Sequence, residues 1–185
     1  MANGTTALQA AATGTSTIPI LGTSITEYGV ALGIDGFTGT TGYNVSGTSD
    51  LAPLDQQAAM LQELFPDAEN VGLLYCSGEP NSAYQADIIR GYLEEYGYTV
   101  SDYTFADSND VAAVTGNACN DSDVLYIPTD NTAATCTEAI QNVALPAGVP
   151  IIAGEEGICS GCGVATLSIS YYDIGYEAGL MAYDI

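Results

Sequence analysis

From residue 71 onward, short apolar runs alternate with amphipathic stretches along the chain. Residues 71–75 form one such run, which is typical of a buried strand. Residues 82–96 carry apolar and aromatic side chains at helical spacing, and Gly97 follows as a helix stop. This alternation predicts βαβ units and mainly parallel, doubly wound sheets. The same pattern predicts strands at 98–105, 123–127, 149–153 and 164–170, and helices at 109–118, capped by Ser108, and at 131–144, followed by Pro146.

The first 70 residues show the same alternation less regularly. We predict a helix of small residues at 5–13, a strand at 18–21, a loop with a strand near 43–48, and an amphipathic helix at 54–65. The chain is expected to open directly on a helix and to close inside another, 171–185, without a stop signal. These ends predict a piece of a longer protein whose first sheet is incomplete.

Composition restricts the function. The 185 residues are 47% apolar, which suffices for a core, but 23 acidic residues face one basic residue, Arg90, for a net charge of −22. The acids are not enriched over an ordinary domain, so the bases are what is missing. We therefore predict no nucleic-acid partner and no polybasic membrane anchor. The absence of His and Lys also excludes catalysis by either residue and a His-containing metal site.

The five cysteines do not indicate a disulfide framework, because their number is odd. Cys159 and Cys162 form a lone CxxC, and zinc would require the other three thiols to converge on it. We predict no metal and no cofactor. The chain shows no signal peptide and no apolar run of about 18 residues, so no transmembrane helix is predicted.

Polar loops follow three of the predicted strands, at 76–82, 128–132 and 154–157. Ligands of open α/β sheets bind beyond the carboxyl ends of strands, and we expect two of these loops to run into helix N-termini, which favour anions. Hydroxyls and helix N–H groups would bind a ligand carboxylate, and acidic side chains a ligand ammonium. Tyr84 or Tyr172 would offer an aromatic face. The loops thus suit a zwitterion, with carboxylates from Glu79, Asp130, Glu155 and Glu156 and hydroxyls from Ser82 and Thr132.

Each of these residues also has a structural interpretation. Ser82, Asp130 and Asn131 are common helix caps, and Glu155 with Glu156 can be a solvated pair. Tyrosines at helical spacing more often belong to a core. The ligand-site interpretation depends on convergence, since the three loops occupy equivalent positions in the sheet.

The loops resemble those of the ABC transporter substrate-binding protein family that includes the tryptophan- and tyrosine-binding lipoproteins of Gram-positive bacteria. The resemblance implies a two-lobed type I periplasmic-binding-protein fold that closes on its ligand. It places residues 1–48 in an incomplete first lobe, 49–168 in a second lobe, and 169–185 in a segment that returns to the first lobe. The matching stretches are 44–50, 71–82, 126–132, 153–157 and 169–175.

The resemblance also implies a function. The protein would bind an amino acid, preferably an aromatic one, between its lobes and hand it to an ABC permease at the extracellular face as a lipoprotein, without catalysis. The family's signal and lipid anchor are absent from these residues, and the piece alone is expected to bind ligand poorly. The implied ligand-binding residues are Ser77, Glu79, Asn81, Ser82, Thr129, Asp130, Asn131, Thr132, Glu155, Glu156, Asp173, Thr5 and Thr23.

Two alternatives stay open. The same fold serves as the sensory domain of receptors and regulators, which flanking sequence would reveal. A hydrolase that uses Glu155 or Asp130 as general base is the more remote alternative, because no nucleophile–base pair is evident.

Overall fold

The computed structural model describes all 185 residues, which divide into two compact units. The first unit comprises Met1–Leu51 and Ile169–Ile185, and the second comprises Ala52–Ser168. Both contain a parallel sheet flanked by helices, so the predicted α/β class is confirmed. In chain order the elements are β1 Ala2–Asn3, α1 Thr5–Gly14, β2 Ile20–Ile25, α2 Tyr28–Leu32, β3 Val45–Ser49, α3 Leu54–Leu64, β4 Asn70–Cys76, α4 Pro80–Glu95, β5 Thr99–Phe105, α5 Val111–Asp121, β6 Val124–Ile127, α6 Asn131–Thr135, α7 Thr137–Ala147, β7 Ile151–Ala153, α8 Glu156–Cys162, β8 Ala165–Thr166 and α9 Tyr171–Tyr183.

The first unit contains a three-stranded parallel sheet in the order β1-β2-β3. Its core includes Leu8 of α1 and Ile25 of β2, both fully buried. Helix α9 joins this unit through the hydroxyl of Thr48, which donates to the Ile174 carbonyl at 3.1 Å. The expectation that the chain opens directly on a helix was wrong, because β1 precedes α1. A strand of two residues has no alternation to detect, and only its pairing with β2 defines it.

The second unit contains a five-stranded parallel sheet in the order β5-β4-β6-β7-β8. Successive residues of β4 point to opposite faces of the sheet, so Leu73 and Leu74 lie in different apolar clusters. One cluster includes Ile140 of α7, and the other includes Ile89 of α4. The sheet is therefore covered by helices on both faces, as the continuous apolar runs predicted.

Several predicted boundaries in the second unit were wrong. The expected helix at 131–144 is two helices, α6 and α7, which meet at the non-helical Cys136. Pro146 lies inside the last turn of α7, which ends at the left-handed Gly148. Helix α5 has Asp110 rather than Ser108 at its N-cap position. Helix α8 was not predicted, and it carries Cys159 and Cys162.

Tyr92 of α4 and Tyr96 at its C-cap do not form core as expected, since they are 37% and 48% exposed. The buried face of the helix consists instead of residues such as Ile89 and Leu93. The predicted strand at 164–170 shortens to the two residues of β8. None of the helices is both long enough and apolar enough to cross a membrane.

Candidate functional site

The strand order of the second unit creates a topological switch point between β4 and β6. After β4 the chain adds β5 on one side, and it then returns to add β6 on the other side. Loops at such a point leave the carboxyl edge in opposite directions and open a crevice, which is where ligands of this sheet type bind. Residues 77–79 after β4 and 128–130 after β6 occupy this position. The first two predicted loops therefore flank the switch point.

Glu79 bridges these two loops. Its Oε2 accepts hydrogen bonds from the Asn131 backbone N–H at 2.9 Å and from Asn131 Nδ2 at 2.7 Å. Its Oε1 accepts from the Thr132 backbone N–H at 2.9 Å and from Thr132 Oγ1 at 2.7 Å. Desolvation acts to raise the pKa of Glu79, but these four hydrogen bonds outweigh it and hold the pKa below its ordinary value. The ionised carboxylate thus lies at the N-terminus of α6.

Asp130 caps the same helix from within its own loop. Its Oδ1 accepts from the Ala133 N–H at 2.7 Å, and its Oδ2 accepts from the Cys76 N–H at the end of β4, also at 2.7 Å. The side chain is almost completely buried. Desolvation raises the pKa of Asp130, and the nearby charge of Glu79 adds to this effect. Asp130 therefore ties strand β4 to helix α6.

The backbone of Thr129 is held in place by side chains of α4. Its carbonyl accepts from Asn81 Nδ2 at 3.2 Å, Ser82 Oγ at 3.4 Å and Gln85 Nε2 at 3.1 Å. Its N–H donates to Gln85 Oε1 at 3.2 Å. Gln85 is fully buried and was not predicted as a site residue. Its spacing of one helical turn from Asn81 is the signal that would have placed it beside the loop.

The third loop packs against the second. The Gly154 N–H donates to the Ile127 carbonyl at 2.7 Å, and a Cβ at Gly154 would lie 2.7 Å from the Thr129 backbone nitrogen. Only glycine permits this approach. Glu155 then caps α8 by accepting from the N–H groups of Gly157, at 2.6 Å, and Ile158. All three loops, rather than the expected two, therefore run into helix N-termini.

Gln57 of α3 joins the third loop to the end of β8, and it too was not predicted. Its Nε2 donates to the carbonyls of Gly154 at 3.1 Å and Leu167 at 2.8 Å. Its Oε1 accepts from the Tyr126 hydroxyl at 2.5 Å. Gln57 and Tyr126 are both fully buried, and desolvation raises the pKa of Tyr126. The phenol is therefore a neutral donor at physiological pH.

The remaining predicted residues lie outside this hydrogen-bonded network. Ser77 is exposed and its hydroxyl donates to the Phe105 carbonyl at 3.3 Å, while Glu156 is exposed in the first turn of α8. Three others belong to the first unit. Thr5 is buried at the start of α1, the Thr23 hydroxyl accepts from the hydroxyl of Thr48, and Asp173 is exposed in the first turn of α9.

The thiols do not form a metal centre. No group of three or more Cys, Asp or Glu side chains is arranged to hold a metal ion. All five cysteines are free. Desolvation, followed by the charges of Cys159 and Glu155, raises the pKa of Cys162 to about 11, so this thiol is unreactive at neutral pH.

Comparison with known proteins identifies the family. A family model described as ABC transporter substrate binding protein matches residues 1–185. The chain belongs to this family. The family resemblance is thereby confirmed.

Individual relatives match nearly the whole of this chain. A tyrosine-binding protein of Clostridioides difficile (strain R20291) is 34% identical over 181 residues, covering 98% of this chain and 52% of the relative. An ABC domain from Streptococcus pneumoniae in complex with L-Trp is 27% identical with a TM-score of 0.93. A ligand-free, open substrate-binding protein with adhesive properties from Clostridium difficile is 34% identical with a TM-score of 0.70. Each structural match covers 98% of this chain and 61% of the solved one, so the chain spans between half and two thirds of its relatives.

Proposed function

We propose that this chain is part of the solute-binding component of an ABC importer and that it binds an amino acid, with aromatic amino acids favoured. The hydrogen-bonded network at the switch point carries the proposal, because it gathers polar groups from the loops after β4, β6 and β7 at one edge of the sheet. The relatives that bind tyrosine and L-Trp support the choice of ligand.

The chemistry of this edge favours binding over turnover. Glu79 and Asp130 each accept hydrogen bonds from backbone N–H groups at the start of α6, so both carboxylates are engaged in capping this helix. The edge also carries hydroxyls, amides and carboxylates but no cation, since Arg90 pairs with Asp102 at 2.5 Å. Such groups hold the ammonium and carboxylate of a zwitterion without Lys or Arg.

A partner and a location follow from this role. We propose that the complete protein works at the extracellular face of the membrane as a lipoprotein and delivers its amino acid to an ABC permease. The net charge of −22 favours contact with a basic surface of such a partner.

Isothermal titration calorimetry tests the proposal. The complete protein that carries this sequence is titrated with L-tryptophan, L-tyrosine and L-phenylalanine, with D-tryptophan as the stereochemical control. We expect saturable binding of at least one L-amino acid and weaker binding of the D-isomer. Absence of heat with all three L-amino acids, for a protein that circular dichroism shows to be folded, refutes the proposal.

A further inference from the structure

Helix α8 carries a pair of thiols that the proposed function does not use. Cys159 and Cys162 are separated by three residues on this helix, so their side chains lie on the same face. Both side chains are partly buried, and both pack against the same apolar cluster of the second unit. The two thiols are free in this structure. The pair is thus open to chemistry of its own.

The spacing of the two cysteines is compatible with a disulfide. Three residues of α-helix place their Cα atoms about 5 Å apart, within the range of about 4.4–6.8 Å that disulfides span. The Cβ atoms of such a pair are about 5–6 Å apart in a regular helix, compared with roughly 3.8 Å in a disulfide. The last turn of α8 therefore has to tighten by about 2 Å for the bond to form.

The end of α8 permits this tightening. Cys162 is the last residue of the helix, and Gly163, which follows it, has a wide range of backbone conformations. The chain already turns back on Cys159 here, because the Gly163 N–H donates to the Cys159 carbonyl at 2.9 Å, and a Cβ at Gly163 would lie 3.3 Å from the Cys159 sulfur. The Cys162 thiol donates only a weak hydrogen bond, to the Ile158 carbonyl at 3.4 Å, so little is lost when this sulfur moves.

Small molecules in solution can reach both sulfurs. Cys159 and Cys162 line one cavity of about 320 Å³ on the second unit. Leu145 and Val164 also line this cavity, and both are largely exposed, so the cavity opens to solvent. An oxidant of low molecular weight therefore has access to the pair.

The surroundings of the thiols favour the oxidised pair. Desolvation, together with the charges of Glu155 and Glu156, raises the pKa of Cys159, and desolvation is also the main cause that raises the pKa of Cys162 to about 11. Disulfides that are easily reduced have a thiol of low pKa, whose thiolate stabilises the reduced form. Neither thiol of α8 ionises appreciably at neutral pH, so the reduced pair lacks this stabilisation. A disulfide, in contrast, has no charge to place beside the glutamates.

We propose that Cys159 and Cys162 are a modification site, at which a disulfide of low molecular weight oxidises the pair to a disulfide within α8. The Cys159 thiolate attacks one sulfur of the oxidant, which forms a mixed disulfide and releases one small thiolate. The Cys162 thiolate then attacks the Cys159 sulfur, closes the bond and releases the second small thiolate. Two electrons pass to the oxidant, and the released thiolates take up the two thiol protons. Exchange is slow at neutral pH, because both cysteines are mostly protonated there.

Peptide mapping tests the proposal. Cleavage after glutamate releases residues 157–177, which contain Cys159 and Cys162 but none of the other three cysteines. The complete protein is incubated at about pH 8.5 with reduced and oxidised glutathione at about 1 mM each, and is then unfolded, alkylated and cleaved. We expect more than half of this peptide to lack two hydrogens and to carry no alkyl group. After treatment with dithiothreitol the same peptide should carry two alkyl groups.

Two variants and thermal unfolding check the pairing. Oxidation should raise the Tm of wild type by about 4 °C, because the bond closes a short loop. In Cys162→Ser the partner is missing, so Cys159 should remain reduced or bind glutathione, and the Tm should not rise on oxidation. Cys136→Ser is the matched control, since it removes another partly buried thiol that packs against the same apolar cluster. We expect this variant to form the disulfide as wild type does.

Three outcomes would overturn the proposal. Both cysteines of the wild-type peptide stay open to alkylation, or they bind glutathione without an internal bond, or either of them pairs with Cys136 or with another chain. The assay contains no amino acid ligand. Its failure therefore leaves the proposed function untouched, and a failure of the ligand titration leaves this inference untouched.

Discussion

The carboxylate of Glu79 is expected to stabilise the second unit by holding the start of α6. The change Glu79→Gln preserves the size of the side chain and tests this directly. The glutamine carbonyl can replace one carboxylate oxygen and its two hydrogen bonds. The amide nitrogen that replaces the other oxygen then faces the backbone N–H of Thr132 or, if the amide is turned over, the two donors of Asn131. The change therefore removes one or two hydrogen bonds and sets donor against donor.

The magnitude follows from these contacts. Loss of a helix cap costs about 0.5–2 kcal/mol, and a hydrogen bond to a charged group contributes about 1.5–3 kcal/mol. Glu79 is only partly buried, and removal of its charge also relieves Asp130, whose pKa that charge raises. Both considerations make the expected loss of stability smaller than the sum of two hydrogen bonds to a charged group. We expect a loss of about 2 kcal/mol, which lowers the Tm by about 4–8 °C for a chain of this size.

Urea unfolding followed by far-UV circular dichroism measures the difference, and its pH dependence checks the cause. The pKa of Glu79 is lower in the folded protein than the ordinary value of 4.5. Its contribution is therefore complete above pH 4.5 and is lost as the pH falls through the folded pKa. Glutamine does not titrate. We expect the free energy of unfolding of wild type to exceed that of the variant at pH 7, and we expect this difference to become smaller in acid.

Glu63→Gln serves as the matched control, because it makes the same change of charge at an exposed position near the end of α3. We expect it to change the free energy of unfolding by less than about 0.5 kcal/mol. Equal stabilities of wild type and Glu79→Gln at pH 7, or a loss that Glu63→Gln reproduces, would refute the reasoning.

Three further predictions concern packing and charge. Gly154→Ala places a Cβ against the backbone of Thr129 and should cost about 2 kcal/mol of stability. Gly116→Ala, where the new Cβ would meet only Val143 at 3.8 Å, should be neutral or stabilising, and thermal unfolding distinguishes the two variants. Gln57→Leu removes three buried hydrogen bonds and should cost about 3 kcal/mol in urea unfolding, while its exposed neighbour Gln56→Leu should have little effect. At a net charge of −22, added NaCl should raise the Tm by screening self-repulsion, and a flat response from about 0.02 to 0.5 M would count against that account.

The centre of the second unit was predictable because its strands are buried on both faces. Such strands show continuous apolar runs, and helix α4 adds a stop at Gly97, so β4, α4 and β6 were placed within one or two residues. The short elements at and near the edges of the two sheets were not predictable in the same way. Strands β1 and β8 have two residues each, and α8 contains Gly157 and Gly161, which hide its helical period. These elements are defined by their neighbours rather than by their own residues.

The candidate site was predictable in its residue types and less so in its contacts. Polar residues after strands indicated the three loops, but the sequence does not reveal that the Glu79 carboxylate reaches across to α6. Gln57 and Gln85 were missed because a glutamine on an amphipathic helix is usually exposed. Their amides are buried since they replace the backbone hydrogen bonds that the loops cannot make for themselves.

The scarcity of cations is compatible with this site because helix N-termini take their place. Glu79 and Asp130 lie at the start of α6 and Glu155 at the start of α8, where backbone N–H groups bind their carboxylates. These acids therefore need no Lys or Arg, and their hydrogen-bonding capacity is largely committed to the fold. It follows that the conspicuous acids of this edge hold the loops and helix starts of the site in place.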